Sequence, residues 1–329
     1  MGTAQSRVVG VKRRALVLAT VLVVSLGVGV TAFSGTVAAG APNCADVGYE
    51  GSGTSDNPYQ VGNVSQLQCI ENQGLSSYYE LTQDIDASGT SSWQDGFDPI
   101  ANDSEFRGAF DGDGHTVSGL TIARPAANET ALFGRVGGDG TVENLTLADA
   151  DITGQNQVGT VVGNNTGGTV RSVSASGTVS GENDAGGLVG RNSGTVNRSN
   201  ASVAVESSGG SVGGLVGENI AGTVTESYAT GDAGAPSATS VGGLVGLSTA
   251  GTVNESYATS NVTGDSYVGG LVGDVRTETG STSVVERSYA TGTVTGNTNV
   301  GGVVGGMAGA SFSDESVLRD SYFVDSSSK

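Results

Sequence analysis

The pentapeptide GGLVG stands at Gly186–Gly190, Gly213–Gly217, Gly242–Gly246 and Gly269–Gly273, with degenerate copies GTVVG at Gly159–Gly163 and GGVVG at Gly301–Gly305. Successive copies lie 27 residues apart at three of the five steps, and 29 and 32 apart at the other two. The segment ending Leu132, Phe133, Gly134 reads as an earlier copy, so seven anchors define seven units. Self-similarity at this period is the signature of a solenoid that grows by adding units.

Each GGLVG is followed by a polar turn and a second motif, as in Gly222, Thr223, Val224, Thr225, Glu226, Ser227, Tyr228, Ala229, Thr230, Gly231. Aligned by unit, the valine column holds Val142, Val170, Val196, Val224, Val253, Val285 and Leu318. Three residues later stand Leu145, Val173, Ser199, Ser227, Ser256, Ser288 and Ser321, and two beyond them Leu147, Ala175, Ala201, Ala229, Ala258, Ala290 and Phe323. These small or apolar columns are expected to face inward. The column between the last two, Thr146, Ser174, Asn200, Tyr228, Tyr257, Tyr289 and Tyr322, carries polar groups that would be costly in a dry core and is expected outside. Its four tyrosines would then stand roughly 4.8 Å apart. Alternation leaves open which of Leu and Val in GGLVG is buried.

A third short segment, such as Gly177-Thr178-Val179, closes several units, and three short strands with three turns account for about 27 residues. The expected fold is all-β: a parallel, right-handed β-helix solenoid, with glycine supplying turns of positive φ and close approach at corners. Residues 42–129 are less repetitive and richer in large apolar residues, among them Phe97, Phe106 and Phe110, and are expected to form capping coils; residues 130–329 form the repeat solenoid.

The first 41 residues read as an export signal. Lys12, Arg13 and Arg14 precede an apolar run from Ala15 to Val30, and Ala39-Gly40-Ala41 is a small-residue cleavage site. Arg13-Arg14 fits either the general secretory or the twin-arginine route, and an uncleaved segment would be the chain's membrane contact. The remaining chain has 10 basic and 33 acidic residues, a formal charge of −23, and a single lysine, Lys329. Such a surface suits molar salt, where repulsion between carboxylates is screened within a few Å. It argues against nucleic acid as a partner. Cys44 and Cys69, in an oxidising compartment, are expected to form a disulfide.

The GGLVG and SYATG units resemble the GLUG motif of secreted and cell-surface bacterial and archaeal proteins. The stretches GSGTSDNPYQV, YYELTQDID, GFDPI, FRGAFDGDGHTVSGLTI and ALFG are similar to the segment that introduces those repeats. The resemblance covers nearly all of the chain after residue 41 and implies a surface-exposed stalk or adhesin-like module rather than one activity. Some relatives add a metallopeptidase domain, but this chain has one histidine, His115, and no HExxH.

Candidate sites are few. The GGLVG glycines lack a P-loop lysine and a following helix signal, so they read as structural. His115, in GDGHTV, has no nucleophile signature around it and reads as a turn residue. Asp84, Asp86, Asp111 and Asp113 are the candidate calcium ligands, with turn chemistry the simpler reading. No other cofactor is expected. Tyr228, Tyr257, Tyr289 and Tyr322 form either a structural stack or a strip for sugar rings or another protein. Asn-x-Ser/Thr sequons stand at Asn63, Asn102, Asn128, Asn144, Asn164, Asn197, Asn200, Asn254 and Asn261 and are glycosylation candidates.

The functional expectation is a secreted or envelope-associated, non-catalytic repeat protein with a structural, adhesive or glycan-binding role, its partner an envelope or extracellular glycan or protein. Two alternatives stand beside it. One is a polysaccharide lyase or glycoside hydrolase on a β-helix, which needs carboxylates that break the repeat pattern. The other is a repeat fragment of a larger surface assembly.

Overall fold

The computed structural model describes residues 40–308 and 315–324, which belong to one compact unit. Arg13, Arg14 and the apolar run of the expected export signal lie outside the described residues, as does Lys329.

The chain winds into a parallel β-solenoid whose named strands all pair in parallel with the coils before and after them. One coil has four walls rather than the expected three. In the coil that starts after Glu182 they are Asn183–Gly186, Val189–Asn192, Thr195–Asn197 and Asn200–Ser207. Repetition builds them into sheets of six, seven, ten and thirteen strands respectively. Each motif read as one strand is divided by a corner. GGLVG gives its first glycine to the end of the first wall and its valine to the start of the second, while the TVxxSYA motif bends between the third wall and the fourth.

The corner inside GGLVG buries both apolar residues, since Leu188 and Val189 each have no exposed surface. The N–H groups of both donate to one carbonyl, Leu215 O of the next coil, at 2.9 and 3.0 Å. Strict alternation is therefore interrupted, as in a β-bulge, and two consecutive side chains turn inward. The glycines are required by proximity rather than by φ. A Cβ on Gly186 would lie 2.1 Å from Val189 O, on Gly187 2.1 Å from Gly214 O of the next coil, and on Gly190 2.4 Å from the Gln157 carbonyl carbon. None of the three has a positive φ. The left-handed corners between the third and fourth walls fall instead on Ser172, Arg198, Glu226, Glu255, Arg287 and Asp320, all with φ between 48° and 54°. The expectation that glycine makes the positive-φ turns thus fails at these corners.

The left-handed residue lets the next residue turn its side chain into the core. That residue is the serine column, and Ser199, Ser227, Ser256 and Ser288 are all buried. Their hydroxyls form a continuous ladder. The Ser199 N–H donates to Ser227 Oγ (3.1 Å), Ser227 N–H to Ser256 Oγ (3.2 Å) and Ser256 N–H to Ser288 Oγ (3.1 Å). Each hydroxyl donates to the carbonyl two residues earlier, as Ser227 does to Thr225 O at 2.7 Å. The buried serine hydroxyls and the N–H groups that meet them are thereby satisfied by the bend's own repetition.

The first coils bury the largest side chains. Tyr79, Phe97, Phe106, Phe110 and Phe133 are fully buried, with Phe106 and Phe133 ring centroids 5.0 Å apart. Two short helices, Val64–Gln68 and Ile70–Gln73, place Leu67 and Ile70 in the same core as Val61 and Tyr79. Cys44 and Cys69 are joined there by a disulfide, S–S 2.02 Å. At the other end, Val300, Met307 and Leu318 are 47%, 43% and 44% exposed, although their register partners one coil earlier, Val268, Val275 and Val285, are fully buried.

A tyrosine ladder and a charged seam as candidate sites

The four outward tyrosines occupy one column of the fourth wall because in-register stacking repeats the motif's position in every coil. Their ring centroids are 4.8, 5.0 and 5.5 Å apart with interplanar angles of 3°, 6° and 11°. Tyr228, Tyr257 and Tyr289 are half-buried and Tyr322 is 58% exposed. Burial, reinforced by the neighbouring phenols, raises the pKa of Tyr257. Such stacking has a chemical consequence: each inner ring covers its neighbour's face, so the ladder offers edges and hydroxyls rather than faces. A sugar ring, which packs its apolar face on an aromatic face, is shut out between Tyr228 and Tyr322. Beside the ladder the left-handed corner residues pair across coils, Arg198 Nε with Glu226 at 2.8 Å and Arg287 Nε with Glu255 at 3.0 Å.

Three of the four candidate calcium ligands accept backbone N–H groups, and the fourth, Asp113, donates its own N–H. Asp84 accepts the Thr116 N–H (2.9 Å) and lies 3.4 Å from His115 Nδ1, and the Thr116 bond is the main cause of its lowered pKa. Asp86 accepts the Ser88 N–H at 2.9 Å. Asp111 accepts the Asp113 N–H (2.9 Å) and Asn144 Nδ2 (3.0 Å), and Asp113 holds the left-handed position of that turn with φ 47°. Among the described residues, no group of three or more His, Cys, Asp or Glu is placed to share one metal ion.

Two features escaped the sequence reading. One is a buried asparagine ladder, in which Asn165 Nδ2 donates to Asn192 Oδ1 and Asn192 Nδ2 to Asn219 Oδ1, both at 2.8 Å. The same amides also donate to carbonyls at the next corner, Gly168 O at 3.0 Å and Gly194 O at 3.2 Å. The signal was present in the aligned VGNN, VGRN and VGEN segments, where asparagine holds one column in three successive units. The other is a seam of ionic side chains on the second wall, alongside the first. Arg135 Nε pairs with the buried Glu129 at 2.6 Å, Arg191 with Glu218 at 3.6 Å, and Arg276 Nε with the buried Asp274 at 2.6 Å. Burial raises the pKa values of Asp184 and Glu218; Arg191 opposes the shift at both. No column of like residues announces the seam, because its register positions run Arg135, Asn164, Arg191, Glu218, Leu247 and Asp274, which share neither charge nor chemistry.

The sequons divide by exposure. Asn63, Asn128, Asn144 and Asn261 are exposed, whereas Asn102, Asn164, Asn197, Asn200 and Asn254 are half-buried. Half-buried Asn164 and Asn200 use their amide nitrogens within the solenoid, donating to Glu129 (3.0 Å) and Ser174 Oγ (2.8 Å), and exposed Asn63, Asn144 and Asn261 also donate theirs, to Gln66, Asp111 and Asp232. Among the described residues no helix is long and apolar enough to cross a membrane.

Comparison with known proteins places these repeats. Residues 208–233 match the family model of the GLUG motif. Over 138 residues the chain is 47% identical to Halomucin of Haloquadratum walsbyi, which covers 40% of this chain and 2% of that one. Over 123 residues it is 37% identical to a protein of Evansella cellulosilytica provisionally described as a Gly-rich membrane protein, covering 36% of this chain and 14% of that one. The chain therefore spans a small fraction of both relatives' lengths. A solved Bacteroides ovatus structure, provisionally described as an immunoglobulin A1 protease, superposes with a TM-score of 0.62 over 84% of this chain and 85% of its own, at 22% identity. At that identity the likeness concerns the fold alone.

Proposed function

We infer that this chain, a solenoid carrying GLUG repeats, works outside the cell or on its surface as a rigid scaffold with a structural or adhesive role and no catalysis. The observation that carries the reading is how the side chains are used: serine, asparagine and tyrosine columns are consumed in holding one coil to the next. The two relatives support a surface setting, one by its name and one as a Gly-rich membrane protein. The formal charge of −23 beyond residue 41 and the similarity to a Haloquadratum protein support work at high salt. Exposed sequons at Asn63, Asn128, Asn144 and Asn261 fit a glycosylated outer surface.

One observation favours a second reading. Asp184 and Glu218 influence each other electrostatically and both have raised pKa values, a feature of carboxylates that act as general acids. Burial within the solenoid is the structural explanation of both shifts, and Arg191 opposes each of them. Incubating the purified chain from residue 42, in multi-molar salt, with isolated cell envelopes and a panel of envelope polysaccharides separates the readings. Retention without newly released saccharide ends is expected. Release of ends that is lost in Glu218→Gln would overturn the scaffold reading in favour of a lyase or hydrolase.

A further inference from the structure

Tyr78 differs from the tyrosines of the ladder in what stands next to it. It lies on the outer face of the third wall, 42% exposed, and its register partner in the next coil is Ala109. Beyond Ala109 the same outer column continues as Thr141, Thr169, Thr195, Thr223 and Thr252. Ala109 offers no ring to stack on, so Tyr78 keeps 42% of its surface exposed, while in the fourth wall Tyr228, Tyr257 and Tyr289 are each stacked on the tyrosine of the next coil.

Beside Tyr78 is a hollow of about 510 Å³, which it lines together with Ala109, Thr141 and Thr169. Gly108, also in its lining, packs against the preceding coil, where a Cβ would lie 1.9 Å from Ser77 O. Two arginines and two carboxylates complete it. Arg171 pairs with Glu143, and Arg107 lies 4.0 Å from Asp139 and pairs with Glu105 outside the hollow. The lining charges therefore cancel on a chain that is otherwise strongly acidic. Both arginine side chains are about half exposed, 51% and 55%, and each guanidinium has five N–H donors, more than its carboxylate partners consume.

We propose that this hollow binds an uncharged pyranose unit of a glycan, with the apolar face of the sugar on Tyr78 and its hydroxyls on Arg107, Arg171 and Glu143. An exposed aromatic ring supplies the contact that excludes water, and fixed planar groups of both signs donate to and accept from vicinal hydroxyls. The threonine column gives the next units of a linear glycan a row of hydroxyls along the solenoid axis, one per coil. Because neither partner contributes net charge, the contact survives the salt that screens ion pairing. This inference rests on the reading of the protein as an envelope-facing scaffold and gives it a ligand class.

The test titrates the chain from residue 42, in multi-molar salt, with hexasaccharides of glucose, of N-acetylglucosamine and of a uronate, read by calorimetry. Tyr78→Ala, Tyr78→Phe and Tyr322→Ala are titrated in parallel, and retention on isolated envelopes is measured for each. A neutral hexasaccharide is expected to bind, Tyr78→Ala to weaken it by about tenfold or more, and Tyr78→Phe, which keeps the ring, to stay within about threefold. Tyr322→Ala should leave the affinity unchanged. Neutral binding that persists in Tyr78→Ala, or preference for the uronate, overturns the site while leaving the envelope-facing reading intact. Envelope retention with no hexasaccharide bound overturns the site in the same way, and loss of retention as well overturns both.

Discussion

Ser227 shows how little a single residue here acts alone. Its hydroxyl accepts from the Ser199 N–H of one coil, while its own N–H donates to Ser256 of the next. Ser227→Ala leaves a buried N–H without a partner and is expected to cost about 1–3 kcal/mol in urea unfolding at high salt. A loss within error would show that water or a backbone shift replaces the bond. Gly190 is limited by space instead, since any Cβ meets backbone of the preceding coil at 2.4 Å. Gly190→Ala should destabilise by about 3 kcal/mol or more, because backbone cannot give way as a flexible side chain would.

At the scale of the element, the tyrosine ladder and the charged seam respond to different perturbations. Tyr257→Ala removes two stacking contacts from a half-buried column and is expected to cost about 1 kcal/mol with the solenoid intact; a loss the size of a core truncation would contradict its outward placement. The seam responds to pH. Burial raises the folded-state pKa of Glu218 above its unfolded value, with Asp184 adding to the shift. Its contribution to stability is therefore fully present below the unfolded value and is lost as pH rises through the folded one. Wild type should accordingly gain stability relative to Glu218→Gln as pH falls from 7 to about 4, and an opposite slope in paired denaturation curves would reverse the assignment. Exposed carboxylates such as Asp84, whose pKa is lowered chiefly by the Thr116 N–H, and Asp86, lowered by the Ser88 side chain and then its N–H, run the other way.

For the whole molecule, stability is a sum of coil-on-coil interfaces set against the self-repulsion of an acidic surface. Lowering the salt lengthens the range of that repulsion from about 3 Å at 1 M to about 30 Å at 0.01 M. Dilution from multi-molar to millimolar salt should then lower the unfolding temperature progressively, and a transition indifferent to salt would remove the high-salt reading. Uncharged ligand contacts, such as those of the Tyr78 hollow, should weaken far less over the same range.

Sequence alone determined the parallel solenoid, the length of its repeat, the inward serine and alanine columns and the outward tyrosines, because in-register stacking turns each aligned column into one physical row. It did not reveal the fourth wall, the burial of both Leu188 and Val189, or the use of Arg198 and Glu226 rather than glycine at left-handed corners. Period-two reasoning holds only along a straight strand, and each of these features sits at a bend where alternation stops. The seam and the Tyr78 hollow likewise needed the tertiary structure. Their members come from neighbouring coils, and what makes them distinct is the neighbour each one has: Arg191 beside Glu218, and a small Ala109 where the ladder elsewhere has another ring.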